Sequence, residues 1–567
     1  MATATGKPTT DQPGPAWPKP GPGTWLLDSS HCGPTPSLIQ RDIFSESFST
    51  GFAEGCALFG APLKTMDLKW VNGRFYRRLV PLVGGGVDLP QPPDVVLRLV
   101  SRFHPTFRKA ERRAKVSLEQ KRWRDEIAMW ESTWKPELIA TNLRFTDVDL
   151  ATLSDEEAGD HLRELYSHVI ASARLHFRLH VSDMGPLGNL MVHLEDWGLH
   201  RDNTFRALVK ASPATRAPGQ KLRAVAAALR NAGVDPLSLS SLDEARGASA
   251  EVSTLLDEFL RENGWRLTTG YEVEDRCLIE LPEVLLTAIR GAAGESAVDE
   301  DDDSAAVEAL AGLRSDVPAE HRAVFDDLVE DARISYGLRD ENGPLTYEWP
   351  AGLLRRAVLE AGRRLAGGGR LKAAGDVFEL TVEEIARALQ GDESITTAEI
   401  ARRAEERQSW ASLDAPLRIG PEEPPPPIHL LPPNLAAFTR IVLAVTETLE
   451  ADASTELLTG MGIGKESFVG VARVVHDAAE ALALVEPGDV IVTPYTAPTY
   501  NAVLGMAGAL VTQEGGLLCH AAVIARELGL PAVIGATDAM TAIPDGATVE
   551  VDPVAGRVSI VSPAVPA

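Results

Sequence analysis

In the stretch Gly515-Gly516-Leu517-Leu518-Cys519-His520, one histidine follows a double glycine. It opens a short amphipathic segment, Ala521 to Leu528, which Gly529 and Pro531 bring to a stop. These residue types in this order suit a histidine that carries a phosphoryl group. Gly515 and Gly516 would let a phosphate approach the backbone with no Cβ in the way. The N–H groups of a first helical turn, at the positive end of its dipole, stabilise an anion placed there. The same dipole disfavours imidazolium, so the ring stays neutral and nucleophilic near pH 7. Two further residues are candidates for touching the phosphate. Thr496 reads either as a phosphate donor or as a hydroxyl stabilising its own turn. Arg526, six positions after His520, reads either as a phosphate contact or as a structural ion pair. Cys519 reads as a small packed side chain.

A second polar set lies far upstream, where His168, His176, His180, Asp183 and His193 interrupt an apolar helical pattern. His176 and His180 share a helix face at i, i+4, as metal ligands or a pair of bases would. No third ligand has a matching spacing, and no metal site is expected.

The elements that must position these residues fall into distinct regions. Residues 1–24, rich in Pro, Gly, Thr and Ala, read as a disordered tail without the apolar core of a signal peptide. Residues 25–413 form a mainly helical region. It opens with a hairpin at Trp70-Val71-Asn72-Gly73-Arg74-Phe75-Tyr76, where Asn-Gly fits the two turn positions. Three- and four-residue spacing then dominates, as in Leu162, Leu165, Val169, Ala173 and Phe177. Asp299 to Asp303 is a charge run that reads as a solvated loop. A further helix is expected from Val382. Residues 414–453, with Pro424 to Pro427, read as a semi-rigid proline linker and a connecting helix. Residues 454–567 change to short Val/Ile/Ala runs separated by Gly, Pro and Asp, an α/β pattern.

With 567 residues the chain needs more than one core. A hydrophobic share of 44% and a charged share of 24% are those of a globular protein. The formal net charge of −26 argues against nucleic acid or an anionic membrane as the main partner. No run reaches the length of a membrane span. The four scattered cysteines, Cys32, Cys56, Cys277 and Cys519, form no CxxC pair, and a reducing cytoplasm is expected.

Read as a whole, Gly515 to Gly535 resembles the phosphohistidine signature of the phosphoenolpyruvate-utilising enzymes. Gly470 to Val475, Asp489 to Pro498 and Val551-Asp552-Pro553 resemble the strands and turn around that histidine. The resemblance implies a multidomain chain, with a largely α-helical acceptor-binding domain followed by a C-terminal α/β (β/β/α) swivelling domain. His520 would be its phosphohistidine. Leu518 stands where the synthase and dikinase members have a threonine, so regulation through that hydroxyl is not expected. Trp25 to Leu389 resembles, through short motifs, the acceptor domain of rifampin phosphotransferase. Leu338-Arg339-Asp340-Glu341-Asn342 resembles its Arg-Glu-Asn stretch, implying Arg339 as phosphate clamp and Glu341 as general base. Gly264-Trp265-Arg266 replaces a family Gly-His-Arg turn, so the role of that histidine does not carry over.

No pyruvate barrel is expected after His520, and no ATP-grasp or P-loop segment before it. The layout is that of rifampin phosphotransferase without its ATP-grasp domain, or of the histidine-bearing subunit of phenylphosphate synthase. The expectation is a dikinase-type relay. ATP and Mg²⁺ would sit on a separate ATP-grasp subunit, and a small hydrophobic or aromatic molecule would accept the phosphoryl group on a hydroxyl. The alternatives are another phosphodonor, or a binding protein whose histidine domain is a relic.

Overall fold

The computed structural model describes residues 17–562 apart from 29–31, 34, 87, 89–91, 202, 209–212, 269, 295–303, 423–426, 450–457, 465, 477, 497–499, 516–518 and 537. The Asp299–Asp303 run, Gly516 and Pro424 to Pro426 therefore lie outside the described residues.

The chain is placed from Trp17 onward, before the end of the stretch read as a tail: the Trp17 ring packs on Tyr76 at 6.2 Å. Strand β1 (Trp25–Leu27) follows, then helix α1 (Leu38–Phe59), β2 (Leu63–Val71) and β3 (Arg74–Pro81). β2 and β3 form the expected hairpin. Asn72 (φ 47°) and Gly73 (φ 73°) are both left-handed at its tip, which is why Asn-Gly serves there. β4 (Arg418–Ile419) completes an antiparallel sheet of order β2-β3-β1-β4.

α1 lies along a long helix, α2 (Asp155–Asp196), which starts at a capping box between Ser154 and Glu157. Helices α3 (Pro282–Gly294) and α4 (Arg322–Gly343) follow. α4 runs into a π-helical turn, Pro344–Glu348, and then α5 (Trp349–Gly367). Phe44, Phe48, Phe75, Phe177, Tyr347 and Trp349 form the aromatic centre of the main core. The helix expected from Val382 begins at that residue, capped by the Thr381 hydroxyl.

Residues 414–453 are less of a tether than their prolines suggest. Arg418 and Ile419 pair with Leu26 and Trp25, and α6 (Pro433–Leu449) packs against α2. Backbone pairing and apolar burial thus tie most of this segment to the helical body.

The C-terminal unit contains β5 (Met461–Ile463), β6 (Phe468–Val474), β7 (Val490–Thr493), a short helix α7 (Asn501–Leu504), β8 (Ala509–Thr512), α8 (His520–Glu527), β9 (Ala532–Ile534), β10 (Thr548–Asp552) and β11 (Arg557–Ser562). Its sheet has the order β11-β10-β6-β7-β8-β9-β5. β6 through β9 are parallel, and the edges are closed by antiparallel neighbours. β7, β8 and β9 are buried throughout, as a parallel sheet covered on both faces requires. The architecture is thus a largely helical body followed by an α/β domain. The two are in contact: α7 packs on α3. One apolar cluster runs from Leu190 and Phe325 to Val503, Ala521 and Ala525.

Candidate active site

His520 is the first residue of α8, and Cys519 is its extended N-cap (φ −68°, ψ 161°). The turn that delivers it depends on Gly515. That residue has φ 116°, and a Cβ there would meet Cys519 Sγ at 2.8 Å. Conformation and space both demand glycine. The ring is fixed by Thr496, whose Oγ1 lies 2.9 Å from His520 Nδ1. The hydroxyl of Thr496 therefore engages the histidine itself. Nearby, Thr493 Oγ1 and Tyr500 OH are 2.7 Å apart and brace the strand end that carries this loop. Burial pushes the His520 pKa down to about 3. The neutral imidazole is the form a nucleophile needs at pH 7. Arg526 lies in the last turn of α8, about 9 Å further along the axis and on a different face, so the helix separates the two side chains.

The upstream candidates lie in the helical body. His176 Nδ1 is 3.1 Å from Thr346 Oγ1, and the His176 and His180 rings meet edge to face at 4.7 Å. His180 Nδ1 lies 3.4 Å from Asp183 Oδ2, and its ring stacks on Phe52. Among the described residues no three His, Cys, Asp or Glu side chains gather to hold a metal. Arg339 is half-buried on α4. Glu341, expected as a general base, is held on both oxygens. Trp130 Nε1 donates to Oε2 at 2.9 Å, and Lys135 Nζ lies 2.7 Å from Oε1. A carboxylate held this way braces α4.

Sequence reasoning missed a neighbouring set. Glu348 ends the π-turn and is 5% exposed. Burial pushes its pKa up to about 7 against the pull of Arg266. Burial likewise pushes the Tyr271 phenol up, with Glu348 and Tyr495 adding to the effect. Tyr271 thus senses both the helical body's Glu348 and the residue next to Thr496 in the His520 domain. A signal existed in the sequence: Glu348 is the lone charge in the run Leu345 to Leu354.

These shifts predict a pH profile of stability. Glu348 and Glu272, whose carboxyl burial pushes up to about 8, bind protons more tightly folded than unfolded. Stability should fall as pH rises from the ordinary value of 4.5 through about 8. For Glu348 alone, the loss corresponds to about 3 kcal/mol. Melting curves should show Glu348→Gln gaining on the parent by that order between pH 5 and pH 9.

Residues 485–556 match the family described as PEP-utilising enzyme, mobile domain, a span that includes Thr496, Gly515 and His520. The chain is 47% identical over 92 residues to phosphoenolpyruvate synthase of Escherichia coli, covering 16% of this chain and 12% of that protein. It is 31% identical over 216 residues to rifampicin phosphotransferase of Streptomyces sviceus, covering 37% and 22%. It is 26% identical over 315 residues to the uncharacterised phosphotransferase YvkC of Bacillus subtilis, covering 54% and 36%. The chain thus spans well under half the length of these relatives. The segment that carries His520 is thus similar to the mobile domain of the PEP-utilising enzymes.

Proposed function

We propose that this chain is the phosphohistidine-bearing component of a phosphotransferase, in which His520 takes a phosphoryl group from a donor and passes it to a hydroxyl. The observation that carries this reading is the setting of His520. It is neutral, oriented by Thr496 and placed at a helix start behind Gly515. In the tautomer whose Nδ1–H donates to Thr496 Oγ1, Nε2 holds the lone pair and is the nucleophile. In loading, Nε2 forms the P–N bond as a P–O bond of the donor breaks. In discharge, the acceptor oxygen forms the new P–O bond, and the P–N electron pair returns to the ring. Splitting the transfer in this way is the logic of covalent catalysis.

The contact between the C-terminal unit and the helical body, where α7 packs on α3, supports the helical body as the discharge station. For loading we propose ATP and Mg²⁺ bound by a separate ATP-grasp subunit, with ATP converted to AMP and phosphate.

Incubation with ATP labelled in the β-phosphoryl group, with and without an ATP-grasp protein from the same source, tests the reading. Label is expected on the chain only when the partner is present. Labelling by ATP alone would point to a self-sufficient carrier. No labelling under either condition would leave a binding protein with a relic domain.

A further inference from the structure

Among the described residues, Glu348 Oε1 and Arg266 Nε are buried and have no hydrogen-bond partner. Leaving such groups unpaired costs about 1–3 kcal/mol each, so they persist where a function needs them. The two groups belong to adjoining pieces of backbone, since Leu267 N–H donates to the Glu348 carbonyl at 3.2 Å. They attract one another, yet among the ion pairs of the described residues none joins them. Gly343 lies against Glu348: a Cβ at that position would stand 3.4 Å from Oε1. Other buried or half-buried acids nearby are already engaged. Glu341 binds Trp130 and Lys135, Glu280 binds Arg355, and Glu272 accepts from Gly33 N–H.

Resting on the phosphohistidine reading above, we infer that Glu348 and Arg266 form the acceptor station. Glu348 is the general base for the acceptor hydroxyl, and Arg266 receives the charge of the incoming phosphoryl group. The position fits this role, because the helical body that carries Glu348 is packed against the C-terminal unit through α3 and α7, and Tyr271 feels the charge of both Glu348 and Tyr495. In the step, the acceptor O–H proton moves to the Glu348 carboxylate and the oxygen bonds to phosphorus. The P–N bond to His520 breaks, its electron pair returning to Nε2. A guanidinium beside the phosphoryl oxygens offsets charge that a buried site cannot leave bare. Arg266 and Tyr271 are the groups that face Glu348, while Glu341 and Glu262 act on it through Arg266. With its carboxyl poised at about 7, Glu348 can accept a proton near neutral pH.

The test separates loading from discharge. His520 is loaded chemically with phosphoramidate, and the loss of phosphohistidine is followed with and without phenol as the probe acceptor, from pH 5.5 to 9. In the parent, phenol should speed discharge at least tenfold, along a curve that rises through an inflection near pH 7. In Glu348→Gln, phosphoramidate loading of His520 should stay as in the parent. Its phenol-dependent discharge should fall on the order of 100-fold and lose the inflection. Discharge by Glu348→Gln within threefold of the parent would overturn the assignment, as would a loaded parent that phenol does not discharge. Failure of phosphoramidate to load His520 would instead strike the carrier reading on which the assignment rests.

Discussion

A chain carrying His520→Ala is expected to fold and yet pass no phosphoryl group. The substitution removes the side-chain hydrogen bond to Thr496. The stability cost should be about 1 kcal/mol. The chemistry loses its covalent intermediate altogether, and acceptor phosphorylation should fall by on the order of 10⁴ or more. The contrast between a small shift in melting and a complete loss of turnover distinguishes a carrier from a structural histidine. A histidine that merely capped α8 would show the opposite pattern.

Gly352→Ala should destabilise the chain strongly. A Cβ there would stand 1.8 Å from the Trp265 carbonyl oxygen and 2.9 Å from Cys277 Sγ. The first contact is with backbone, so the turn Gly264 to Arg266 must retreat from α5. Overpacking of this kind costs about 3 kcal/mol or more. The same displacement moves Arg266 relative to Glu348. Phenol-dependent discharge should therefore drop at least tenfold, while phosphoramidate loading, which depends on the other unit, should be unchanged. Thermal melting together with the two half-reactions checks this. A variant as stable as the parent would show that the turn retreats at no cost and that Gly352 is not what holds it.

Much of the His520 neighbourhood was legible because its determinants are local. A glycine pair before a histidine, a short amphipathic helix and a Gly529/Pro531 stop all lie within one stretch. The Asn72-Gly73 hairpin and the Thr381-capped helix were legible for the same reason. Glu348 was not, because its importance comes from Arg266 and Tyr271, which lie far away in sequence and meet it only once α5 packs on the Gly264–Arg266 turn. Glu341 shows the converse: the motif marks a carboxylate, but only the fold brings Trp130 and Lys135 to its two oxygens. The proline run likewise signalled a spacer, while the strand pairing of Arg418 with Leu26 joins residues from opposite ends of the helical body.

The central claim, that His520 is the phosphoryl carrier, is tested most directly by mapping the phosphate on the loaded chain under alkaline conditions that preserve phosphohistidine. The account predicts close to one acid-labile phosphoryl group per chain, on the peptide containing His520, and none in His520→Ala. An acid-stable phosphate, or one on any other peptide of the chain, would contradict it.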